Sequence, residues 1–368
     1  MRIGINFLAY KEVTGWVVYI QNLLRNLIQL SEKDEFFLFG SEDLPLDLRF
    51  NKVKSINLVM VRGSVRKYAK AFYQQFNIYP LLKKYKIDLL FSPSPAAPFF
   101  YKNKVVVIHD CAYDRFREFE NLLSKMYFRT MFYGAKYFSK KIVTVSEFSK
   151  KELIELYKIP PNKIEVIYEG VPESPEVNED FIKKTLAKFR IDKPYFLYIG
   201  NWRPRKNLPG LIKAFKLFRE KGFDYLLVIG GRKDKRFLDL EKEIRENKLE
   251  GKVILTDTLS REEVAALYKK AKALTFPSYY EGFGLPVLEA ESLGVPVLTS
   301  NTSSLPEVAG DSVLYVDPYS VEDIARGLEK IALDEELRKN LIQKGYENIK
   351  RFSWQKAAQQ LLEIFHSL

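Results

Sequence analysis

The sequence predicts an α/β protein with two doubly wound parallel sheets, each in its own Rossmann-like domain. Short, nearly wholly apolar runs alternate along the chain with amphipathic stretches of helical spacing, a pattern typical of parallel strands covered on both faces. A proline-rich, acidic segment without periodicity, 172–180, interrupts the alternation once and predicts a linker. A chain of 368 residues is long enough for a separate core on each side.

In the first domain, each predicted strand is followed by a helical pattern such as Val17 to Leu30. The predicted strands are Ile3 to Ala9, Phe36 to Phe39, Asp88 to Ser92, Val105 to Ile108 and Ile142 to Val145. Ligands of such sheets bind beyond the carboxyl ends of the strands. Residues that directly follow a strand are therefore candidates for the site.

The second half repeats the pattern. Its predicted strands are Tyr195 to Ile199, Tyr225 to Ile229, Lys252 to Leu255, Ala273 to Phe276, Val295 to Thr299 and Val313 to Val316. We place the first domain at 1–172 and the second at 173–350. Residues 351–368 contain an amphipathic helical pattern, which we expect to cross back and pack on the first domain.

The positive charge is concentrated in one part of the chain. The net charge is +12, and the segment 62–141 holds 16 Lys and Arg against 5 Asp and Glu. Within it, 66–86 and 122–138 mix aromatics with cations at helical spacing, which is compatible with anionic lipid headgroups. An equally good interpretation is a solvated helix face over an aromatic core. Nucleic acid is disfavoured because no recognised nucleic-acid motif accompanies the charge.

Composition excludes several further classes of protein. No apolar run is long enough to cross a bilayer, and no signal peptide is recognisable, so we expect a cytoplasmic location. The single cysteine, Cys111, excludes an internal disulfide and is expected to be a small buried apolar residue. The sequence has few of the usual metal ligands, since it contains two histidines, one cysteine and no Asp-x-Asp pair. We expect metal independence and no cofactor.

The most informative segment is the nonapeptide from Glu281 to Glu289, E-G-F-G-L-P-V-L-E, after the predicted strand Ala273 to Phe276. Pro286 lacks an N–H and suits the first turn of a helix. A glycine turn before it directs backbone N–H groups outward, where the helix dipole also favours an anion.

A diphosphate or a sugar hydroxyl is therefore expected near Phe283, Gly284 and Leu285. Glu281 and Glu289 flank that position, and carboxylates accept hydrogen bonds from ribose and sugar hydroxyls. A capping acid and a solvated surface charge would be the ordinary interpretation of two glutamates. The glycine turn and the proline favour a sugar-nucleotide site instead.

A second candidate segment follows the predicted strand Tyr195 to Ile199 and reads G-N-W-R-P-R-K-N from Gly200 to Asn207. Arg205 offers a planar fork for phosphate oxygens and Lys206 a compact charge, so together they suit a diphosphate. The alternative is a solvated cationic turn. Crowding of three cations at a strand-to-helix turn favours the phosphate interpretation.

His109 follows a predicted strand of the first domain. It could bond substrate hydroxyls or relay a proton, and a structural role is the alternative.

Taken in order along the chain, these segments resemble the GT-B glycosyltransferases of family GT4, over nearly its whole length. The similar segments are Thr144 to Ser149, Ile164 to Val171, Gly200 with Pro204 to Asn207, Glu281 to Glu289, Val295 to Val297 and Ser304 to Val308. The resemblance implies a GT-B fold, in which the two domains face a cleft. It also implies a metal-independent, retaining hexosyltransferase that uses a nucleotide sugar.

The resemblance also implies roles for individual residues. Arg205 and Lys206 would stabilise the leaving diphosphate, Glu289 would hold the ribose and Glu281 the donor sugar. Phe283, Gly284 and Leu285 would offer backbone N–H groups, and Leu259 would lie near the base. His109 matches the family's histidine beside the sugar.

One segment departs from the family pattern. The first loop of the family often reads Thr-Gly-x-Gly-Arg-Tyr, whereas here Thr14 and Gly15 are followed by Trp-Val-Val-Tyr. The loss of a glycine and an arginine leaves Gly15 as a weak candidate for the donor site.

The expected function is transfer of a hexose, with mannose from GDP-mannose favoured, to a glycan or lipid-linked acceptor in polysaccharide or lipopolysaccharide assembly. The enzyme would be cytoplasmic and peripheral at the inner membrane face. The alternatives are a catalytically silent nucleotide-sugar-binding protein and a GT-B epimerase or synthase.

Overall fold

The structure is a computed structural model that describes residues 1–7, 15–40, 53–57, 76, 78–116, 122–232 and 239–368. Within these ranges, only the backbone is described for 15, 16 and 53–57. The chain divides into two units. The first contains Met1–Gly170 and Ser353–Leu368, and the second contains Val171–Phe352.

The first unit contains a seven-stranded parallel sheet in the order β3-β2-β1-β4-β5-β6-β7. The strands are β1 (Arg2–Asn6), β2 (Glu35–Gly40), β3 (Val53–Asn57), β4 (Leu89–Ser92), β5 (Lys104–Val107), β6 (Lys141–Thr144) and β7 (Ile164–Val166). Its helices are α1 (Gly15–Leu30), α2 (Ala112–Arg115), α3 (Leu122–Phe138), α4 (Glu147–Tyr157) and, from the end of the chain, α13 (Trp354–His366). Residues 78–84 are helical as well.

The second unit contains a six-stranded parallel sheet in the order β10-β9-β8-β11-β12-β13. The strands are β8 (Tyr195–Ile199), β9 (Leu226–Gly230), β10 (Val253–Asp257), β11 (Ala273–Phe276), β12 (Val297–Ser300) and β13 (Leu314–Val316). Its helices are α5 (Glu179–Lys188), α6 (Leu208–Glu220), α7 (Leu240–Glu246), α8 (Arg261–Lys270), α9 (Leu285–Ser292), α10 (Leu305–Ala309), α11 (Val321–Leu333) and α12 (Glu335–Asn348).

Both sheets reverse their strand order at an internal pair, β1 and β4 in the first unit and β8 and β11 in the second. Chain segments leaving such a pair diverge to opposite faces of the sheet and open a crevice at the carboxyl ends, where ligands of doubly wound sheets bind. In the second unit, the two segments at this point are Gly200–Asn207, after β8, and Pro277–Gly284, after β11.

The cores follow from strands that are buried on both faces. Strands β4, β5, β9, β11 and β12 are buried at every position. Such strands need mainly apolar residues, which explains why most of their positions are apolar. The polar exceptions are Ser92, Lys104, Thr275, Thr299 and Ser300. In the second unit, aromatic rings strengthen the core: Phe196 stacks on Tyr225 at 5.2 Å and packs edge-on against Phe218 at 5.3 Å.

Helix α13 belongs to the first unit, where its apolar face packs on α1. Trp354, Ala358, Leu361 and Phe365 are buried, and the Phe365 ring lies 5.4 Å from that of Phe91 at the centre of the sheet. Ser353 caps the helix by accepting a hydrogen bond from the Lys356 N–H at 3.3 Å. The last residues of the chain therefore contribute to the core of the first unit.

Among the residues that the structure describes, no helix combines the length and the apolar character needed to cross a membrane.

Candidate active site

The segment after β8 forms a single 3₁₀ turn, Pro204–Lys206, before helix α6 begins. Asn207 joins the two in the left-handed conformation, φ 56°, and its side-chain amide donates to the Pro318 carbonyl at 2.7 Å. The Arg205 carbonyl accepts from the Tyr279 N–H at 2.8 Å, which ties this turn to the segment after β11. The turn therefore holds Arg205 and Lys206 beside the loop that carries Glu281.

Glu281 binds both cations in the same cluster. Lys206 Nζ donates to Glu281 Oε1 at 2.5 Å, and Arg205 Nη1 donates to Oε2 at 3.0 Å. The side chains of Lys206 and Glu281 are 9% and 6% exposed, so the ion pair lies away from bulk solvent. The Lys206 ammonium also lies 4.9 Å from the centre of the Phe276 ring. We call Arg205, Lys206 and Glu281 the cation cluster.

The electrostatics of the cluster favour a charged carboxylate. Burial by itself would raise the pKa of Glu281, but the charges of Lys206 and Arg205 outweigh it and hold this pKa below its ordinary value of 4.5. Two cations against one carboxylate leave a local surplus of one positive charge. Such a surplus at the carboxyl edge of a sheet attracts an anion.

The loop from Glu281 to Gly284 is held in place by two serines. Ser303 Oγ accepts from the Glu281 N–H at 3.0 Å, and Ser304 Oγ lies 2.9 Å from both the Glu281 and the Phe283 carbonyls. Gly284 then begins helix α9 at φ 118°, a conformation that favours glycine.

A side chain at Gly284 would also meet Leu305 at 2.9 Å. Leu285 and Pro286 form the first turn of α9, where helical N–H groups have no acceptor within the helix.

Glycines bring the backbones after β8 and β9 into close contact. The Gly200 N–H donates to the Gly230 carbonyl at 3.0 Å, and a Cβ on Gly231 would lie 2.0 Å from the Gly200 carbonyl oxygen. Leu259 packs over Gly230, since a Cβ there would lie 2.9 Å from its Cδ1. Gly200 and Leu259 therefore lie on the same side of the crevice.

Glu289 lies on α9, eight residues after Glu281, and is half-buried. Tyr268 Oη donates to its Oε2 at 3.2 Å. Burial raises the pKa of Glu289, and neither the Tyr268 hydroxyl nor the charge of Arg261 cancels this effect. A half-buried carboxylate with one neutral donor can accept further hydrogen bonds from a ligand.

In the first unit, His109 follows β5 beyond Ile108, with 24% of its side chain exposed. Its Nδ1 lies 3.5 Å from Glu169 Oε1 and its Nε2 lies 3.3 Å from the Pro93 carbonyl. The Tyr19 ring packs edge-to-face against the imidazole of His109, with the ring centres 4.6 Å apart.

Gly15 is the first residue of α1, and the residues that precede it, 8–14, lie outside the described part of the chain. Much of the basic segment, 62–75 and 77, is also outside it. Cys111 is buried, and burial raises the pKa of its thiol. Within the described ranges, no group of three or more His, Cys, Asp or Glu is placed to hold a metal ion.

The structure adds residues that sequence reasoning missed. Tyr268, which donates to Glu289, lies in the middle of an amphipathic helix and carries no sequence signal. Ser304 begins a segment noted only for its resemblance, and Ser303 directly precedes that segment. Glu169 directly precedes a glycine, and its proximity to His109 depends on the pairing of β5, β6 and β7.

Comparison with known proteins covers nearly the whole chain. The sequence profile described as glycosyl transferases group 1 matches residues 180–348, and that described as Glycosyltransferase Family 4 matches residues 13–174. O-antigen chain mannosyltransferase B of Escherichia coli is 31% identical over 296 residues, which are 78% of this chain and 76% of that protein. O-antigen chain mannosyltransferase RfbU of Salmonella typhimurium is 32% identical over 59% of this chain and 57% of its own length.

Solved structures support the fold. WaaG, a glycosyltransferase involved in lipopolysaccharide biosynthesis, superposes with a TM-score of 0.77 at 15% identity, over 99% of each chain. Anabaena HepE, in complex with UDP and glucose, superposes with a TM-score of 0.76 at 15% identity, over 100% of this chain and 99% of its own. At these identities the likeness concerns the fold alone. The expected GT-B fold is confirmed, and the chain belongs to the group 1 glycosyl transferases of glycosyltransferase family 4, the sugar-transferring enzymes that its sequence resembles.

Proposed function

We propose that this glycosyltransferase moves mannose, with retention of configuration, from a nucleotide-diphosphate mannose to a glycan or lipid-linked acceptor in polysaccharide or lipopolysaccharide assembly. The cation cluster is the observation that carries the proposal. Two cations share one buried carboxylate at the carboxyl edge of the second sheet, beside the N-terminus of α9. Their surplus charge is suited to the diphosphate that departs during transfer.

The cluster would act on the leaving group. As the bond from the anomeric carbon to the diphosphate oxygen breaks, the sugar gains oxocarbenium character and the diphosphate gains negative charge. Arg205 and Lys206 stabilise that charge, and because Glu281 already fixes them, little reorganisation is needed. The acceptor hydroxyl then attacks from the face that the diphosphate leaves, which retains the anomeric configuration, and its proton passes to the departing diphosphate oxygen.

The remaining residues would position the donor. Glu289 accepts hydrogen bonds from the ribose hydroxyls, and the backbone N–H groups of Phe283, Gly284 and Leu285 meet the sugar and the phosphate. Leu259, packed over Gly230, contacts the base. Beyond its cation contacts, Glu281 accepts from a donor sugar hydroxyl.

Gly200, at the close approach after β8, lets the diphosphate come near the backbone. With Arg205 and Lys206 neutralising the diphosphate, we predict that the reaction needs no divalent metal. The O-antigen mannosyltransferases of E. coli and Salmonella, at 31% and 32% identity, support mannose and polysaccharide assembly.

A calorimetric titration without divalent metal tests the donor site. GDP, UDP, ADP and dTDP and their common sugar conjugates are compared on the wild type, Glu289→Ala and Lys206→Met. Lys216→Met, at a half-exposed lysine of the following helix, is the matched control. We expect selective binding of GDP and GDP-mannose that is lost in Glu289→Ala, weakened at least about tenfold in Lys206→Met and unchanged in the control.

Product analysis tests the reaction. Transfer from GDP-α-mannose to a mannose-terminated lipid-linked acceptor should yield an α-linkage by NMR. Donor binding without transfer or hydrolysis would indicate a catalytically silent binding protein, and turnover without an acceptor would indicate an epimerase. No binding to any nucleotide would contradict the proposal.

Peripheral contact with the cytoplasmic face of the membrane is part of the same proposal. At the start of α3, three apolar side chains face solvent: Leu122, Leu123 and Met126 are 70%, 63% and 58% exposed. Arg129, one turn further, is exposed as well. Apolar side chains beside cations suit the boundary of an anionic bilayer.

Vesicle sedimentation tests this contact. The wild type should bind vesicles that contain phosphatidylglycerol and should not bind vesicles of phosphatidylcholine alone. Binding should weaken at high salt. Replacing Leu122, Leu123 and Met126 together by Ser should abolish binding, whereas Leu333→Ser, at a 62% exposed leucine of the second unit, should not. Equal binding by both variants would overturn the contact.

A further inference from the structure

We propose that Tyr268 is the positioning residue of Glu289: its buried phenol fixes the carboxylate so that it can accept both hydroxyls of a ribose, and the pair thereby sets a preference for ribonucleotides. The observation is the hydrogen bond from Tyr268 Oη on α8 to Glu289 Oε2 on α9, at 3.2 Å. The ribose contact rests on the proposed function, whereas the hydrogen bond and its effect on the carboxylate do not.

The direction of this hydrogen bond follows from its chemistry. An ionised carboxylate accepts hydrogen bonds and donates none, whereas a neutral phenol has one O–H to donate. Burial raises the pKa of Tyr268 well above its ordinary value of 10, and the negative charge of Glu289 raises it further. Tyr268 therefore stays neutral and donates its O–H to Glu289 Oε2.

The phenol is held in place by the core of the second unit. Tyr268 is 1% exposed and lies next to the fully buried Leu267 on α8. Tyr195 Oη donates to the Leu267 carbonyl at 2.6 Å, which ties α8 to β8. At the start of the helix, Ser260 and Glu263 form a capping box, in which each side chain accepts from the backbone N–H of the other. The Tyr268 hydroxyl therefore has little freedom to move.

The carboxylate benefits from such a partner because it ends a long side chain. Glu289 is half-buried, whereas its neighbours Leu288 and Ala290 on α9 are fully buried. Fixing the rotatable bonds of a glutamate costs conformational entropy. Because the hydrogen bond from Tyr268 fixes them in the folded protein, a ligand does not have to order the side chain when it binds.

The same hydrogen bond affects the charge of Glu289. Burial raises the pKa of this carboxyl group, and the two effects that lower it are the Tyr268 hydrogen bond and the charge of Arg261. Without the phenol, the pKa would rise further and the group would become protonated at a higher pH. A protonated carboxyl group has lost part of its capacity to accept hydrogen bonds. Tyr268 therefore supports both the orientation and the ionised state of Glu289.

A fixed, ionised carboxylate suits a pair of adjacent hydroxyls. The two oxygens of one carboxylate can accept from the 2′- and 3′-hydroxyls of a ribose when the carboxylate plane is aligned with them. A nucleotide without these hydroxyls leaves the carboxylate unpaired, and a site that is built to bind a hydroxyl discriminates against the analogue that lacks it. We therefore expect Tyr268 and Glu289 together to favour ribose over dideoxyribose.

Calorimetric titration of the full-length protein tests the role in ribose binding. GDP, UDP and ADP are each compared with their 2′,3′-dideoxy form on the wild type and on Tyr268→Phe, which removes the hydroxyl and keeps the ring. In this variant the affinity for the ribonucleotide that binds the wild type should fall about tenfold, and the affinity for its dideoxy form should stay within about twofold. In Glu289→Ala, adding Tyr268→Phe should weaken binding no further.

Tyr195→Phe is the matched control. It removes another buried hydroxyl that bonds to the same helix, but one that donates to the Leu267 carbonyl and not to Glu289. Both variants should lose some stability, and only Tyr268→Phe should lose affinity for the ribonucleotide. Equal losses of affinity in the two variants, or equal losses for the ribonucleotide and its dideoxy form, would indicate a general structural defect and overturn the positioning role. An unchanged affinity in Tyr268→Phe would overturn it as well.

The state of Glu289 can also be measured without a nucleotide. In protein with ¹³C-labelled glutamate, the carboxyl signal that is absent from Glu289→Ala is followed with pH by NMR. The pKa of Glu289 should be higher in Tyr268→Phe than in the wild type and in Tyr195→Phe, while Arg261 is present in all three proteins. An unchanged pKa would contradict the hold of the phenol on the carboxylate.

The two measurements separate this inference from the proposed function. If no ribonucleotide binds the wild type, the proposed function fails and the ribose contact fails with it, and the NMR titration still decides whether Tyr268 holds Glu289. If a ribonucleotide binds but Tyr268→Phe changes neither its affinity nor the pKa of Glu289, the proposed function stands and the positioning role is wrong.

Discussion

Glu281 shows how one side chain links stability to chemistry. Its pKa is held below 4.5 because Lys206 and Arg205 outweigh the effect of burial. A carboxyl group whose pKa is lower in the folded than in the unfolded state stabilises the fold above the unfolded pKa. This contribution is lost as the pH falls through the folded pKa.

We therefore predict that Glu281→Gln destabilises the protein at neutral pH, and that this difference shrinks as the pH falls below 4.5 towards the lowered pKa of the folded carboxyl group. Chemical unfolding of both proteins between pH 3 and 7 measures the difference. Glu336→Gln, at an exposed position of α12, should show no such trend. A pH-independent difference for Glu281→Gln would mean that its charge contributes nothing to folding.

Gly231 tests the close approach of the loops after β8 and β9. A Cβ at this position, φ 130°, would lie 2.0 Å from the Gly200 carbonyl oxygen, which belongs to the backbone and cannot simply rotate away. Gly222 also has a positive φ, 93°, but has open space around it. An alanine at either position would therefore have a strained backbone, but only an alanine at 231 would also clash with a neighbour.

Gly222→Ala should lower the free energy of unfolding by about 1 kcal/mol, because of the unfavourable φ alone. Gly231→Ala should cost at least about 2 kcal/mol more, because the backbone must also move. Urea unfolding measures both free energies. If the two variants lose equal stability, the close approach of the backbones is not required for the fold.

Helix α9 has two glutamates with different tasks. Glu289 is half-buried near Tyr268, whereas Glu291 is buried on another side of the helix and is fixed by Ser312 and by the Asn348 amide at 2.9 Å. Burial raises the pKa of Glu291 to about 7 despite these donors and the charge of Arg351. The helix that carries the proposed ribose ligand is thus anchored by an acid that prefers to be neutral.

Because the pKa of Glu291 is raised and that of Glu281 is lowered, their contributions to stability change with pH in opposite directions. The contribution of Glu291 to stability is fully present below its unfolded pKa of about 4.5, and it is lost as the pH rises through about 7. We predict that the wild type loses stability between pH 5 and 8 and that Glu291→Gln, which is never charged, loses less. Thermal unfolding across this range, with Glu336→Gln as control, measures the effect. A parallel decline in both variants would exclude Glu291 as the cause.

At the scale of the whole molecule, the first unit contains residues from both ends of the chain. Phe365 is buried against Phe91 although 274 positions, 365 − 91, separate them in the sequence. Helix α13 therefore stabilises a sheet formed mainly by residues near the other end of the chain.

We predict that Phe365→Ala costs about 3–5 kcal/mol in the first unit, because it leaves a cavity beside β4. Amide hydrogen exchange should accelerate in β1, β4 and α1 but not in β8 and β9. Gln359→Ala, on the exposed side of the same helix, is the control and should leave exchange unchanged. Acceleration confined to the second unit would contradict this assignment of the helix.

Much of the fold could be predicted from sequence because its signals are local. The strands Tyr195–Ile199 and Ala273–Phe276 have the predicted bounds. Buried parallel strands must be mainly apolar, and that pattern is visible in the local sequence. The ends were predicted less accurately: the helical pattern of Val17 to Leu30 lies in a helix that begins at Gly15, and β1 ends at Asn6, before the predicted Ala9. Hydrogen bonding at the end of an element depends on neighbours that the local pattern does not contain.

The sequence by itself determined the fold class, the family and the segments that carry the candidate site, since strand periodicity, glycine turns and Pro286 act over a few residues. Only the tertiary structure decided which side chains meet: Lys206 with Glu281 across 75 positions, Tyr268 with Glu289, and His109 with Glu169. These contacts depend on the order of parallel strands, because crossover connections bring distant carboxyl ends together. Charge balance at the candidate site is therefore a property of the folded chain.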